Sequence, residues 1–349
     1  MALFSVDSAR PLGKGKQSPA GSISDPELAS HLRNYKRVVA GSYRALVQED
    51  LATALPHGPL LVSPKIDGEL WFMVMDGDEV FLSSPTGRVV SGDIPVLTEA
   101  KAAAGRARGR TVVAGELFAV KPAGQGRARV GDLAAVMGGE DKAQVERMAF
   151  HAFDLLVGGD AESPTRSIVY GERLEVLKRL FAGGKRAQAI RTEATTAGDR
   201  VQALWNEWVE GGKGEGLVIR AEGLVLKVKP SITIDAAVIG YTDSSDDPES
   251  VGALLMALLR EDGQFQVIGS CGNMPGEERR AFKKMMAGKE IASNFRYANS
   301  KGALYRFVKP ETVIEFKVTD IQGEDSSGDP IHRMVLEHGA KGWTTVREM

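Results

Sequence analysis

Apolar and polar residues recur with two different periods along the chain, and these periods predict its strands and helices. Residues 60–84, LLVSPKIDGELWFMVMDGDEVFLSS, predict two strands joined by a hairpin turn at Asp76-Gly77-Asp78. Residues 110–120 and 148–157 predict two more strands, and the apolar density of the second indicates that it is buried. Helical spacing predicts helix from Asp25 to Leu55, with Asp25 as N-cap and Pro26 at the first helical position. It also predicts helices at residues 94–105, 171–182 and 198–210.

The last third of the chain is a run of short predicted strands. Residues 214–230, GEGLVIRAEGLVLKVKP, predict two strands around a tight turn at Ala221-Glu222-Gly223. After Pro230, four strand-like segments follow, and one predicted helix at residues 275–286 interrupts them. Short strands with one helix are typical of a small Greek-key barrel such as an OB-fold.

These elements predict an α+β protein with two domains. Residues 1–25 are rich in Gly, Ser, Pro and Lys, and we expect them to form a flexible N-terminal segment. The first domain is predicted at residues 26–232 and the OB-fold barrel at residues 233–349, with the boundary near Pro230–Ile234. A length of 349 residues suits two domains better than a single core.

Composition narrows the class of protein without identifying a partner. Hydrophobic residues make up 43% and charged residues 26%, which is ordinary for a soluble globular protein. No apolar run approaches the ~20 residues that span a bilayer, and the N-terminus lacks the apolar core of a secretory signal, so we expect a cytoplasmic protein. The single cysteine, Cys271, excludes an internal disulfide framework and a zinc finger built on several cysteines. The net charge of −2 gives no overall sign of nucleic-acid binding.

Several charged residues stand in strand-like, otherwise apolar surroundings. Lys65 and Asp67 would point to the same face of a strand, and that face is either exposed to water or the wall of a site. A lone K-x-D-G occurs often by chance, and an ordinary exposed ion pair would explain it. Glu116 lies among apolar neighbours, where an unpaired carboxylate is costly, unless an arginine pairs with it.

More such residues follow in order along the chain. Phe153 and Asp154 lie in a predicted buried strand, Glu215 stands between two glycines, and Lys227 and Lys229 share one face of a strand. Each has a simpler explanation, since Phe153 could be core and the two lysines could face solvent. The whole series, in this order and on predicted strands, is hard to attribute to coincidence.

The ordered series Lys65-x-Asp67-Gly68, Gly115-Glu116-Leu117, Phe153-Asp154-Leu155, Glu215-Gly216 and Lys227-x-Lys229 resembles the covalent nucleotidyltransferases, and ATP-dependent DNA ligases in particular. The similarity covers roughly residues 60–320, because residues 235–280 also look like the OB domain of those ligases. The individual motifs are weak, whereas their order together with the OB-like region is a strong signal. The resemblance implies an adenylation domain of antiparallel sheets flanked by helices, followed by a C-terminal OB-fold.

The resemblance also implies roles for these residues, with ATP and Mg²⁺ as cofactors and Mn²⁺ as a substitute metal. Lys65 would attack the α-phosphorus of ATP and form lysyl-AMP, helped by Lys227 and Lys229 as the other catalytic residues. A lysine ordinarily titrates near pH ~10.4, so a nucleophilic lysine needs nearby positive charge, here Mg²⁺ and the two lysines. The implied nucleotide-binding residues are Asp67, Gly68, Glu116 at the ribose, Phe153 stacked on adenine, Lys227 and Lys229, and the implied metal ligands are Glu215 and Glu116.

The implied partner is nicked duplex nucleic acid, with DNA favoured over RNA, no membrane, and a protein that acts as a monomer. The family resemblance implies sealing of 5′-phosphate and 3′-hydroxyl ends, as needed in DNA replication, repair and recombination. Three alternatives stay open. An RNA ligase of the same superfamily is favoured by the tight turn at 221–223 and by the absence of arginine at position 70, and a GTP-using capping enzyme ranks lower.

The other alternative is a non-catalytic nucleic-acid-binding protein, because the sequence departs from the family pattern at several positions. Leu70 stands where many of these ligases have arginine, Pro85 where an SRNG-like element has arginine, and Ser63 where a carboxylate is usual. Arg88 could compensate for Pro85, and Arg333 and Lys341 could stand in for a missing C-terminal R-x-D-K motif. A binding surface in the OB region would use Phe295, Arg296, Tyr297, Tyr305 and Arg306, although we favour barrel core for those aromatics.

Overall fold

The computed structural model divides the chain into two units, Met1–Lys229 and Pro230–Met349. It describes residues 2–39, 43–122, 125–139, 141–158, 169–272, 274–299, 302–318, 320–322, 333–335 and 345–348. Among the helices in these ranges, none combines the length and the apolar character needed to cross a membrane.

The larger sheet of the first unit has eight strands, and each neighbouring pair is antiparallel except the last, which is parallel. In spatial order the strands are β1 (Arg10–Leu12), β2 (Gly15–Ser18), β7 (Val89–Gly92), β6 (Glu79–Ser83), β5 (Glu69–Asp76), β8 (Thr111–Ala119), β9 (Met148–Val157) and β10 (Ala187–Ala189).

Helices cover both faces of this sheet, as the alternation along β5 requires. Trp71 and Met73 are fully buried on the face covered by α2 (Pro95–Ala104), α3 (Val130–Gly138) and α5 (Tyr170–Leu180). Phe72 and Val74 point to the opposite face, where they pack with residues of α1 (Pro26–Val38). Successive strand residues point to opposite faces, so a strand buried on both sides is apolar throughout. A short helix, α4 (Lys142–Val145), follows α3.

The second sheet of this unit has five strands and one helix packed on it. In spatial order the strands are β11 (Glu193–Thr195), β4 (Leu60–Lys65), β12 (Gly216–Ala221), β13 (Leu224–Lys229) and β3 (Arg44–Val47), with the last pair parallel. Apolar residues of α6 (Gly198–Trp208), including Leu204 and Trp205, pack against one face of the sheet. The opposite face is therefore free to form a site.

The second unit is built on an antiparallel sheet with one helix. The strand order is β16 (Phe265–Cys271), β15 (Val251–Leu259), β14 (Ile232–Asp243), β18 (Thr312–Val318) and β21 (Thr345–Glu348), while β17 (Arg306–Phe307) also pairs with β14. Helix α7 (Gly276–Met286) buries Phe282 and Met286 in the core of this unit, and β19 (Asp320–Gln322) pairs with β20 (Arg333–Val335). The α+β class is confirmed, whereas closure into an OB-fold barrel stays a prediction.

Three predictions about local structure are wrong. Residues 1–25 are not a flexible segment throughout, because β1 and β2 join the large sheet and bury Leu12. The helix that begins at Asp25 ends at Val38, where Val38-Val39 and Gly41 lower helix propensity, and β3 follows instead of further helix. The start of α1 is as predicted, since Asp25 caps the amides of Glu27 and Leu28.

The third error concerns residues 60–84, which form three strands rather than two. β4 ends at Lys65 and β5 begins at Glu69, and the two strands belong to different sheets. Gly68 makes this crossing feasible, since a Cβ atom there would lie 2.3 Å from the carbonyl oxygen of Leu117. The break carries the chain from one sheet to the other immediately after Lys65.

Candidate active site

The uncovered face of the five-stranded sheet is set by alternation along its strands. In β12, Leu217 and Ile219 are buried against α6, so Val218 and Arg220 point to the opposite face. In β13, Leu226 and Val228 are buried in the same way, and Lys227 points to that opposite face.

Strand register brings Lys65 onto the same face. Lys65 lies opposite Gly216 of β12, and Ser63 lies opposite Val218, which itself pairs with Lys227. Residues directly opposite each other in antiparallel strands have neighbouring side chains. Pairing of β4 with β12, and of β12 with β13, therefore brings Lys65, the predicted nucleophile, close to Lys227.

A cavity of about 470 Å³ separates this face from the eight-stranded sheet. From the five-stranded sheet, its lining includes Ser63, Lys65, Val218, Arg220 and Lys227. From the eight-stranded sheet, it includes Glu116 of β8, Phe153 of β9 and residues 68–70. Its size and its mixture of apolar walls with a few convergent polar groups are typical of small-molecule sites.

Glu215 is the centre of an ion-pair cluster at this cavity. Its carboxylate accepts hydrogen bonds from Nζ of Lys65, through Oε2, and lies 3.2 Å from Nζ of Lys229, through Oε1. The three side chains are only 13–21% exposed, so their charges interact in a partly dehydrated environment. Gly216 next to Glu215 is required by packing, because a Cβ atom there would lie 2.0 Å from the carbonyl oxygen of Val228.

Glu116 faces this cluster from the other sheet. Burial raises the pKa of its carboxyl to about 7, with the charge of Glu215 acting in the same direction and that of Lys65 opposing it. The backbone amide of Gly68 donates a hydrogen bond to this carboxylate. Glu116 is therefore poised to exchange a proton near neutral pH when the charges around it change.

Lys227 is the third lysine of the site. Burial lowers its pKa, and repulsion from Lys65 lowers it further. Its Nζ lies 4.5 Å from the ring centroid of Tyr43, a cation–π distance. Lys65, Lys227 and Lys229 thus converge on one place, as the sequence series predicted, although only the first two line the cavity.

Asp67, predicted as a nucleotide-binding residue, has a different neighbour. Its Oδ2 accepts a hydrogen bond of 2.6 Å from Arg127, and it is not among the residues that line the cavity. Gly68 does line the cavity and places its amide against Glu116. The structure thus gives Asp67 the role of fixing the segment that connects β4 to β5.

Arg220, a buried cation that lines the cavity, was not predicted from the sequence. It is only 8% exposed, and its guanidinium carbon lies 4.4 Å from the ring centroid of Tyr170. Its Nη1 has no hydrogen-bond partner among the described residues. A buried guanidinium nitrogen without a partner is costly, so a ligand acceptor in the cavity would satisfy it. The signal was present in the alternating pattern GLVIR, which places Arg220 on the face of Val218.

Asp154, adjacent to Phe153, anchors the same region. It accepts hydrogen bonds from the hydroxyl of Tyr35 at 3.0 Å and from Nε of Arg173 at 2.8 Å. Burial, followed by the charge of Asp154, raises the pKa of Tyr35 well above its ordinary value, so Tyr35 stays a neutral donor. This network holds β9 and α1 in place behind Phe153.

The structure shows the neighbours of the residues that depart from the family pattern. Leu70 and Pro85 line the cavity where arginines would stand. Ser63 shares a hydrogen bond of 2.9 Å with the hydroxyl of Thr192. Nη2 of Arg88 lies 2.6 Å from Oε2 of Glu69. The side chain of Arg333 and all of Lys341 lie outside the described residues.

A divalent cation fits the donors present, although no cluster of three or more His, Cys, Asp or Glu side chains occurs in the described ranges. Glu116 lines the cavity and interacts electrostatically with Glu215, which forms an ion pair with another lining residue, Lys65. Mg²⁺ is commonly held by one or two carboxylates together with substrate phosphates, rather than by an all-protein cage. These two carboxylates match that pattern, and their oxygens are hard ligands.

Comparison with known proteins identifies relatives of this chain. The family described as ATP dependent DNA ligase domain matches residues 39–229. DNA ligase C of Mycobacterium tuberculosis is 29% identical over 234 residues, which cover 62% of this chain and 63% of that protein. DNA ligase C2 of Mycolicibacterium smegmatis is 30% identical over 248 residues, which cover 65% of each. The chain thus spans less than two thirds of the length of these two curated relatives.

Two solved structures share the fold. Pmar-Lig_PreS3 has a TM-score of 0.56 at 16% identity, covering 84% of this chain and 66% of that chain. A structure described as part of a structure-function study of Lig E DNA ligases has a TM-score of 0.50 at 17% identity, covering 87% of this chain and 99% of that one. At these identities the likeness concerns the fold alone.

Proposed function

The chain belongs to the ATP-dependent DNA ligase family, and on that premise we propose that it seals nicked DNA through a lysyl-AMP intermediate. One observation gives this proposal its main support. Lys65 lines a cavity between two sheets, together with Lys227 and Glu116, and pairs with Glu215 at its edge. This arrangement joins a nucleophile, neutralising cations and two carboxylates at one place.

We propose that ATP binds with its adenine between Phe153 and Val218, which line the cavity from opposite sheets. An aromatic face and an aliphatic side chain suit a flat base. Arg220, with its unpaired Nη1, would donate to an acceptor on the edge of the base. Glu116 would hold the ribose hydroxyls, and the phosphates would lie toward Lys65, Lys227 and Lys229.

In the first step, Nζ of Lys65 attacks the α-phosphorus of ATP. A nitrogen–phosphorus bond forms, the bond between the α- and β-phosphates breaks, and pyrophosphate leaves. The attacking nitrogen needs a free lone pair, so Lys65 must give up its bond to Glu215 and lose a proton to water. Lys227 and Lys229 stabilise the negative charge that builds on the phosphate.

Mg²⁺, held by Glu215 and Glu116 with phosphate oxygens, would supply further positive charge at the α-phosphate. Glu215 is also the ion-pair partner of Lys65 and Lys229, so these lysines would lose that partner if Glu215 held the metal.

In the second step, an oxygen of a DNA 5′-phosphate attacks the phosphorus of lysyl-AMP. A phosphorus–oxygen bond then joins AMP to the 5′-phosphate, and the nitrogen–phosphorus bond breaks to return the amine of Lys65. In the third step, the 3′-hydroxyl attacks the 5′-phosphate, its proton passes to water, a phosphodiester forms, and the bond to AMP breaks so that AMP leaves. We propose nicked duplex DNA as the partner and a monomer as the active form, with residues 233–349 as an OB-fold that contacts the duplex. The names of the two mycobacterial relatives, both DNA ligases, support DNA as the substrate.

A sealing assay on matched substrates tests this proposal. The same labelled nick is prepared with either deoxyribose or ribose on the 3′-hydroxyl side, and the chain is incubated with ATP and Mg²⁺. We expect faster sealing of the all-DNA nick. Preferential sealing of the ribose-ended nick would instead make the protein an RNA ligase, because the 2′-hydroxyl is the only difference. Tight, salt-sensitive DNA binding without any sealing would contradict an enzymatic role.

A further inference from the structure

A cluster of four aromatic rings lies on the second unit. The ring centroids of Phe295 and Tyr297 lie 6.2 Å apart with their planes at 17°, while Phe295 lies 5.8 Å from Phe307 and Tyr297 lies 5.7 Å from Tyr305. We call these four residues the aromatic cluster. Phe295 is 59% exposed and Tyr297 40%, whereas Tyr305 is buried. The expectation that these aromatics are core residues is wrong for Phe295 and Tyr297, whereas Tyr305 is buried.

The exposed rings stand on a fixed base. Tyr305 is part of a small core with Ala253 and Leu255 of β15, and Phe307 packs against that core. The amide of Tyr305 donates to the carbonyl of Tyr297 at 2.9 Å, which closes a hairpin, and the amide of Ile291 donates to the carbonyl of Phe307 at 2.9 Å. A platform that is already ordered loses little conformational freedom when a ligand binds to it.

The segment that carries the cluster is basic, although the chain as a whole is not. Residues 289–309 contain five Lys and Arg against one Glu, while the full chain has a net charge of −2. Arg296 and Lys309 are exposed beside the rings in sequence, and Arg306 is exposed while paired with Asp243 at 2.8 Å. Local positive charge in an otherwise acidic protein favours a polyanion over an apolar protein surface.

We propose that the aromatic cluster binds unpaired nucleotides of single-stranded DNA. The bases would stack on Phe295 and Tyr297, and the phosphates would lie near Arg296 and Lys309. Flat exposed rings with adjacent cations are the combination that single-strand-binding surfaces use, and a duplex keeps its base faces hidden in the stack. The activity goes beyond nick sealing, because it requires an unpaired strand and does not involve Lys65.

Fluorescence anisotropy with the full chain tests this proposal. The probes are a labelled 20-nucleotide oligo-dT and a labelled abasic oligonucleotide of the same length and charge. We expect the chain to bind oligo-dT about tenfold more tightly than the abasic strand, because only the former offers bases for stacking. The double variant F295A/Y297A should lose about tenfold or more in affinity for oligo-dT and almost none for the abasic strand.

Two further variants serve as controls for the double variant. Tyr297→Phe keeps the ring and should bind oligo-dT as the wild type does. Leu259→Ala removes a side chain that is 60% exposed in the same unit but outside the cluster, and it should also bind normally. Self-adenylylation should be unchanged in all these variants, so a failure of this proposal is distinguishable from a failure of the ligase proposal.

Equal affinity of the wild type for the two strands would overturn the proposal, and this comparison does not depend on any variant folding. So would unchanged oligo-dT binding in the double variant. If that variant loses self-association in sedimentation while its oligo-dT binding is unchanged, the cluster is a protein interface instead.

Discussion

The ammonium group of Lys65 donates a hydrogen bond to Oε2 of Glu215, a residue 150 positions further along the chain. The two residues meet because β4 and β12 are paired and Lys65 lies opposite Gly216. In this state the lysine is held in an ion pair and its lone pair is not available. Glu215 is also one of the two carboxylates proposed above to hold Mg²⁺, so Lys65 would lose its ion-pair partner if Glu215 bound the metal.

Glu215→Gln should slow self-adenylylation by about a hundredfold, because the amide cannot exchange the lysines for a metal ion. The variant should also lose about 1–2 kcal/mol in its free energy of unfolding, since two partly buried ammonium groups lose their counterion. Rates with labelled ATP and denaturant unfolding would measure both effects. The matched control is Glu207→Gln, which removes an exposed pair with Arg191. A Glu215→Gln protein as fast as the control would exclude this role.

Arg220→Met should weaken nucleotide binding by about tenfold to a hundredfold, because a buried, charged hydrogen-bond donor in the wall of the cavity is lost. Calorimetry with a non-reacting ATP analogue would give the dissociation constant. Arg200→Met is the matched control, since Arg200 pairs with Glu193 on the surface. Equal affinities of the two variants would mean that Arg220 makes no contact with the nucleotide.

Gly68→Ala should destabilise the protein by about 1–3 kcal/mol, because the new methyl group would overlap the carbonyl of Leu117. It should also slow self-adenylylation, since the amide of Gly68 holds Glu116 and the segment follows Lys65. Gly131→Ala in α3 is the control, because a Cβ atom there meets no described neighbour within 4 Å. Thermal unfolding curves would compare the two, and equal melting temperatures would show that the close approach at Gly68 is relieved at little cost.

His151 should make the protein sensitive to acid. Burial lowers its pKa to about 4 from an ordinary value of 6.5, so the folded state binds fewer protons than the unfolded state between these values. Stability from this group is complete above pH 6.5 and is lost as the pH falls toward 4, by roughly 3 kcal/mol at most.

His151→Phe should remove that loss while keeping a ring against Phe118, whose centroid lies 4.9 Å away. Unfolding free energies at pH 7.5 and pH 5 would measure the difference between wild type and variant. Glu116 acts in the opposite direction, because its pKa is raised to about 7, but it is present in both proteins. An identical decrease in both on acidification would refute the role of His151.

Local sequence patterns were sufficient for the strands that carry the site. The alternation of Lys227 and Lys229 with Leu226 and Val228 predicted one polar face on β13, and the structure shows that alternation. The hairpin at residues 221–223 and the helix at 275–286 were predicted for the same reason, since turn residues and helical spacing are local signals.

Features that depend on residues far away in the sequence were not predictable from local patterns. Residues 60–76 look like one apolar strand, yet β4 and β5 belong to different sheets, because sheet membership is decided by pairing with β12 and β8. The burial of Arg220 likewise depends on a distant partner, Tyr170, which lies at the start of helix α5. Asp67 matches a motif position, but its contact with Arg127, 60 residues away, could not be inferred from spacing.

The most direct test of the account is covalent labelling of Lys65. Wild-type protein is first treated with pyrophosphate to remove any bound AMP and then incubated with α-labelled ATP and Mg²⁺, beside Lys65→Ala and the control Lys178→Ala, which removes an exposed lysine paired with Glu175. We predict an acid-labile, alkali-stable label on the wild type and the control and none on Lys65→Ala. No label on the wild type, or equal label on Lys65→Ala, would contradict the account.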